Sequence, residues 1–344
     1  MSKRICITGG AGYIGSHTLL AALEAGYEVL VLDSLERGYA LALERVKELT
    51  GREFAFAQVD LRDAAATREA LVEFQPAAVV HFAAYKSVGE GEQEPGKYHE
   101  NNVVATENLL RAMVAAGTKQ LVFSSSAAVY GTPGELPLSE DSPTNPISVY
   151  GRTKLEMEEL ITRYAREYGW QAWALRYFNA VGAHPSGRLG EDPARSTNIV
   201  PIMMQVLTGS RDELTLFGAD FDTADGSQER DYIHVMDLAA AHLKALETTL
   251  STGTMRPLNL SCNRRTSCLE LISLLEAVTG QSLPYRVGAA RAGDPEQLYA
   301  RSDLAQELLR WQPQASVRQC LEDQWRWTQA HPRGYADEKR TAQK

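Results

Sequence analysis

What this chain has little of narrows it first. No run of about 18 apolar residues occurs, so no membrane-spanning helix is expected. Basic residues are outnumbered, 35 Lys and Arg against 44 Asp and Glu, for a formal net charge of −9. A nucleic-acid partner is thereby disfavoured, because phosphate contacts need clustered cations. Any anionic ligand must be held by a local grouping of cations and backbone amides. Cysteine is scarce: Cys6, Cys262, Cys268 and Cys320, with no Cys-x-x-Cys pair. Each sits in an apolar segment and is expected to be a buried free thiol, which suits a reducing cytoplasm. No internal repeat and no metal-ligand spacing stands out. Met1 to Arg4 lead directly into a strand, so no signal peptide is expected. What remains is an ordinary globular composition, 44% hydrophobic and 23% charged.

The first half alternates strands with helices. Strands are expected at Ile5 to Thr8, Glu28 to Asp33, Glu53 to Val59, Ala77 to Phe82, Lys119 to Ser125 and Gln171 to Arg176. Helices are expected from His17 to Ala25, ended by Gly26, and from Ser148 to Tyr168. Continuous apolar strands separated by helices predict an α/β, Rossmann-like doubly wound parallel sheet. Beyond Asn179 the pattern loosens, with Gly, Pro, Asp and Ser gathering at 184–196 and 218–226. Helices are still legible at Val235 to Thr248, Ser267 to Thr279 and Val317 to Gln329, the second opened by a capping box of Ser267 and Glu270. The expected division is a dinucleotide-binding domain over 1–180, a smaller C-terminal substrate-binding lobe over 181–336 with some segments returning to the first, and a frayed tail over 337–344.

Gly9, Gly12 and Gly15 form a Gly-x-x-Gly-x-x-Gly run between the first strand and first helix. Gly9 permits the turn, Gly12 lets a pyrophosphate approach the backbone, and Gly15 allows tight helix–strand packing. The helix N-terminus adds free amides and a positive dipole end. Asp33 closes the second strand about 20 residues on, where a carboxylate binds the adenine ribose. It would repel the extra phosphate of NADP, so NAD is favoured.

Tyr150 and Lys154 stand four apart at the start of a helix and share one face. A tyrosine of ordinary pKa, about 10, is a poor base at neutral pH, and bringing it near 7 takes about 4 kcal/mol of differential stabilisation. A neighbouring ammonium and a cationic cofactor would supply it. Ser124, Ser125 and Ser126 end the preceding strand, at the carboxyl end where doubly wound folds bind ligands.

Strand-end serine, Tyr-x-x-x-Lys and the glycine turn together resemble the extended short-chain dehydrogenase/reductase family. The likeness extends to its nucleotide-sugar epimerases over nearly the whole chain. It is carried by Thr8 to His17, His81 to Glu90, Ser124 to Gly131, Arg176 to Pro185 and Arg230 to Leu238. The resemblance implies an isomerase that interconverts UDP-galactose and UDP-glucose through a transient 4-keto sugar, with NAD kept tightly bound and a homodimeric assembly. It implies Tyr150 as general base, Lys154 as its electrostatic partner and Ser126 as the hydroxyl that bonds the reacting oxygen. Around NAD it places Gly9, Gly12, Tyr13, Ile14, Gly15, Asp33, Ser34, Asp60, Leu61, Phe82, Ala83, Ala84, Lys86 and Asn101, with Ser124, Tyr150, Lys154, Tyr177 and Phe178 towards the nicotinamide. Around the UDP-sugar it places Lys86, Ser126, Tyr150, Asn179, Asn198, Ile199, Thr215, Phe217, Arg230, Tyr232, Arg291 and Asp294. Leu298 falls at the position that gates the sugar pocket. Its intermediate bulk implies weak or no activity on UDP-N-acetylhexosamines, which are the alternative substrates.

Three places depart from the family pattern: Ala128 stands where threonine is usual, Ala180 where proline is usual, and Gln228-Glu229 where a small or apolar pair is usual. A sugar 4,6-dehydratase of this family needs an Asp-Glu pair after the strand-end hydroxyl, and here those places hold Ala127 and Ala128. A UDP-glucuronate decarboxylase matches the other segments less closely. A non-catalytic dinucleotide sensor would commonly lose the tyrosine or lysine, and both are kept.

Overall fold

The computed structural model describes residues 3–290 and 295–336. Six strands alternate with helices: β1 (Arg4–Thr8), β2 (Glu28–Asp33), β3 (Ala55–Gln58), β4 (Ala78–His81), β5 (Gln120–Ser124) and β6 (Gln171–Tyr177). A seventh, Thr254–Leu260, comes from the second half of the chain and pairs in parallel with β6. Pro257 is tolerated there because this strand is an edge. From that edge the order is 254–260, β6, β5, β4, β1, β2, β3, all parallel.

Alternate residues of these strands feed two cores, one on each face. Ile5, Ile7, Val29, Val31, Val80 and Leu175 pack under helices Tyr13–Glu24, Ala40–Thr50 and Val235–Glu247. Cys6, Leu30, Leu32, Val79, Leu121 and Phe123 pack under helices Ala64–Phe74, Ala105–Ala116 and Val149–Tyr168. A parallel sheet covered on both faces needs apolar residues at every register position, which explains the unbroken apolar runs.

The first helix starts at Tyr13, four residues before the expected His17. Gly15 is the third residue of the helix, within its first turn, not part of a preceding loop. Ser148 caps the long helix by accepting the Gly151 amide at 3.1 Å, and Gly169 ends it at φ +68°. Ser267 likewise caps its helix through the Glu270 amide at 3.0 Å. The Glu270 carboxylate pairs with Arg264 at 2.6 Å, so the capping box is half made. Among the described residues three small sheets complete the second half: Asn179–Val181 with Tyr232–His234, Leu214–Phe217 with Tyr285–Gly288, and Thr266–Ser267, Glu229–Arg230 and Gln297–Leu298. Strand order reverses between β1 and β4, and the crevice beyond their carboxyl ends is where such sheets take ligands.

Candidate active site

The glycine turn lies in that crevice. Gly9 has φ +71°, and a Cβ there would meet the Ala83 amide nitrogen at 2.7 Å. A Cβ on Gly15 would meet the Gly9 carbonyl oxygen at 2.1 Å. Gly12, extended at φ −83°, opens the helix with no side-chain cap. The first-turn amides are therefore left to an anion. Asp33, 8% exposed, accepts the Ala11 amide at 2.9 Å and the Leu35 amide at 2.8 Å. Burial pushes its carboxyl up, and the two amides pull it back. A Cβ-free cradle with a carboxylate at the end of β2 fits a dinucleotide bearing free ribose hydroxyls.

The other expected cofactor residues ring this cradle. Ser34 accepts the Glu36 amide, Asp60 is tied to Arg62 at 2.5 Å, and Leu61 is buried. Ile14 packs on the core, and the Tyr13 hydroxyl donates to the Gly182 carbonyl at 2.5 Å. Phe82 lies against His242, the Ala83 amide meets the Thr8 hydroxyl at 3.4 Å, and Ala84 is half-buried. Asn101 sits in a π-wound turn, His99–Val104, and its amide reaches Asn102 at 3.2 Å. Such turns gather at functional sites.

The catalytic candidates meet at the carboxyl end of β5. Lys154, 3% exposed, donates to the Ser124 carbonyl at 2.8 Å and lies 4.8 Å from the Phe123 ring centre and 5.9 Å from that of Tyr150. Ser124 and Tyr177 share a hydroxyl hydrogen bond of 2.5 Å. Ser126, half-buried, accepts the Ala128 amide at 3.2 Å and hydrogen-bonds the Tyr150 phenol. Burial pushes the Tyr150 phenol up, and the Ser126 bond only partly offsets it. Burial also brings Lys154 down to about 7, against the pull of Glu158. Among the chain's own groups burial thus outweighs the Ser126 bond, and the expected lowering of the tyrosine calls on the cationic cofactor as well.

On the substrate side, Asn179 is fixed to the Asp231 carbonyl by its backbone and side-chain nitrogens, both at 3.1 Å. Lys86 pairs with Glu191 at 2.9 Å, and the Asn198 amide reaches the same carboxylate at 3.2 Å. Ile199, Thr215 and Phe217 are partly buried. The Arg230 guanidinium donates to the Glu229 and Glu296 carbonyls. Leu298 pairs with Arg230 across adjacent strands and packs in one cluster with Phe178, Ala127 and Tyr130. Arg291 and Asp294 lie outside the described residues.

Tyr232 is 2% exposed, in an apolar cluster with Val181, Met204 and Leu271. One expectation is corrected. Cys262 is half-buried, its thiol donating to the Tyr232 carbonyl, whereas the other three cysteines are buried. The departure at Gln228-Glu229 has a structural use. Glu229, 6% exposed, binds Gln297 at 2.8 Å and Arg265 at 3.2 Å, which holds together the small sheet carrying Arg230 and Leu298.

Several contributors escaped sequence reasoning. Asn102, fully buried, accepts the Tyr85 amide at 2.8 Å and donates to the Tyr85 carbonyl at 3.1 Å and Thr153 at 3.0 Å. It thereby ties the loop after β4 to the catalytic helix. Glu158 and Arg176 form a buried two-bond ion pair at 2.6 and 2.9 Å. Only Glu158 left a signal, standing four residues beyond Lys154 on the same helix face. Among the described residues no group of His, Cys, Asp or Glu is arranged to hold a metal, and no helix is long and apolar enough to cross a membrane.

A glycine cradle at the switch point, a strand-end serine and a helical Tyr/Lys pair define a nicotinamide-dependent enzyme of the short-chain type. The model of the NAD dependent epimerase/dehydratase family matches residues 5–260. The chain is 44% identical to UDP-glucose 4-epimerase 2 of Arabidopsis thaliana over 341 residues, covering 97% of each. Its fold is similar to a UDP-glucose-4-epimerase from Stenotrophomonas maltophila with bound NAD and formylated UDP-arabinopyranose (TM-score 0.93, 39% identity, 96% of this chain and 99% of that one). It is also similar to the enzyme from Bifidobacterium longum in complex with NAD+ and UDP (TM-score 0.92, 37% identity, 96% and 100%). The chain belongs to the NAD dependent epimerase/dehydratase family.

Proposed function

We infer that this chain interconverts UDP-glucose and UDP-galactose by oxidising and re-reducing C4 of the hexose. The observation that carries this is the meeting of Ser126, Tyr150 and Lys154 beside the glycine cradle, in a chain so similar to UDP-glucose 4-epimerases. Ala127 and Ala128 follow Ser126, so no second acid–base pair is placed there for elimination across C5 and C6.

The C4 carbon bears no acidic hydrogen, and oxidation first is what makes inversion possible. Bound NAD supplies a reversible hydride acceptor and a positive ring. Gly9, Gly12, Gly15 and Asp33 would hold it. Tyr150 takes the C4 hydroxyl proton with Ser126 bonded to the same oxygen, then returns it once the flat 4-keto sugar has turned over. Lys154 adds positive charge beside the phenol. Asn179, Asn198, Arg230 and the residues at 291 and 294 anchor the nucleotide, leaving the sugar free to turn. Uniform binding of the nucleotide is what allows a loose sugar pocket without loss of substrate.

Leu298, beside Phe178, is proposed as the wall that disfavours an N-acetyl group. A division of labour near residue 180, a cytoplasmic location and a homodimer are also proposed; sedimentation of the purified protein tests the last. Function is tested by adding UDP-galactose without NAD and measuring UDP-glucose. Turnover is expected, with a loss of about 100-fold or more in Tyr150→Phe, the scale of a lost general base. Near-wild-type turnover in that variant defeats the assignment.

A further inference from the structure

Lys154 and Glu158 occupy successive turns of one helix and grip successive residues of one strand end. Lys154 donates to the Ser124 carbonyl at 2.8 Å; Glu158 accepts the Ser125 hydroxyl at 2.5 Å. Ser126, next in line, bonds the Tyr150 phenol one turn up the same helix. Glu158 is 3% exposed and its other partner is Arg176, itself 5% exposed. Arg176 reaches on to the Tyr130 hydroxyl at 3.0 Å, which donates to Asn259 at 2.7 Å on the edge strand. Burying an ion pair seldom adds net stability. Apolar residues can often replace such a pair with little loss, so a pair kept beneath the reacting groups asks for another reason.

We propose that Glu158 is a positioning residue for the catalytic trio, bracing the strand-end serines against the helix and supplying the negative charge that keeps Lys154 an ammonium. The groups facing Lys154 leave few alternatives. Tyr150 lies on its own helix, His81 ends β4, and the Phe123 ring and Ser124 carbonyl belong to β5. His81 is held neutral, brought down to about 3 by burial and then by Lys154 itself. Tyr177 on β6 is pushed up by burial and stays a neutral phenol. Burial brings Lys154 down to about 7, and Glu158 is the group that opposes it. The inference rests on the roles proposed above for Tyr150 and Lys154.

The test reads Lys154 directly, by NMR of protein carrying 13C at lysine Cε, with its signal identified by loss in Lys154→Arg. In Glu158→Gln the lysine titrates lower. A drop of about one pH unit cuts its charged fraction at pH 7 about fivefold and raises the ratio of kcat at pH 6 to kcat at pH 8 about fivefold, with KM little changed. Gln keeps an acceptor for Ser125, so loss of a hydrogen bond alone would leave both readings in place. The double variant Glu158→Gln/Arg176→Met removes the pair without stranding a buried charge, and a shift in the same direction is expected, smaller because the Arg176 cation is lost too. An unmoved titration in either folded variant overturns the proposal, as does a shift in the single variant that vanishes in the double. If instead Lys154→Arg and Lys154→Met keep full activity, the catalytic reading fails while the titration result stands by itself.

Discussion

Asp231 lies between Arg230 and Tyr232, is fully buried, and bonds the Ser261 hydroxyl and the Cys262 amide at 3.1 Å. Burial pushes its carboxyl up from 3.8 to about 7, against those hydrogen bonds. Between the two values the folded chain holds a proton that the unfolded chain has released, so stability falls as pH rises through this window. At ~1.4 kcal/mol per pH unit the full cost above pH 7 is about 4 kcal/mol. Asp231→Asn has the same shape and no charge to bury. Relative to wild type it is expected to gain about 4 kcal/mol of stability between about pH 4 and pH 8. Urea unfolding followed by tryptophan fluorescence at several pH values measures the difference. His17 and His81, down to about 3, and His242, down to about 4, act the other way: buried neutral, they cost stability as pH falls below 6.5. They are common to both proteins and cancel in the difference. A gap between variant and wild type that stays constant with pH refutes the reasoning.

Gly9→Ala forces a side chain into a left-handed turn and against the Ala83 amide. The strain of about 1–2 kcal/mol plus the clash is expected to abolish NAD retention, read from absorbance of the purified protein. Asn102→Ala strands the Tyr85 amide in the interior, which costs about 1–3 kcal/mol. Faster hydrogen exchange at 82–86 is the expected sign, and an unchanged pattern there rejects the tie. Leu298→Gly should raise kcat/KM for UDP-N-acetylglucosamine by about 10-fold or more, the scale set by a few methylenes in a pocket. No gain would remove Leu298 from the pocket wall.

The periodicity of the first half placed six strands to within two residues, because a doubly covered parallel sheet writes itself as unbroken apolar runs. The seventh strand was not legible. Thr254–Leu260 carries Arg256 and Pro257, and its place beside β6 is decided by a crossover of some 80 residues rather than by local pattern. The trio of Ser126, Tyr150 and Lys154 was legible because its spacing is local and its chemistry unusual. Asn102 and Glu191 were not. Their work lies in contacts of 17 to 105 residues' separation, such as Lys86 with Glu191, which leave no periodic trace. The burial that pushes the Tyr150 phenol up was not legible, because it depends on everything packed around the phenol, whereas a helical i, i+4 spacing reports only one neighbour.

The strand Thr254–Leu260 and helix Val235–Glu247 stitch the later half of the chain into the earlier half's sheet and core. Severing the polypeptide near residue 180 would therefore leave β6 with an open hydrogen-bonding edge and strip a cover from one face. Exchanging the later portion between relatives to transplant sugar preference would carry sheet and helix along with the pocket. Specificity in this architecture is accessible to point changes around the pocket, and not to modular swapping.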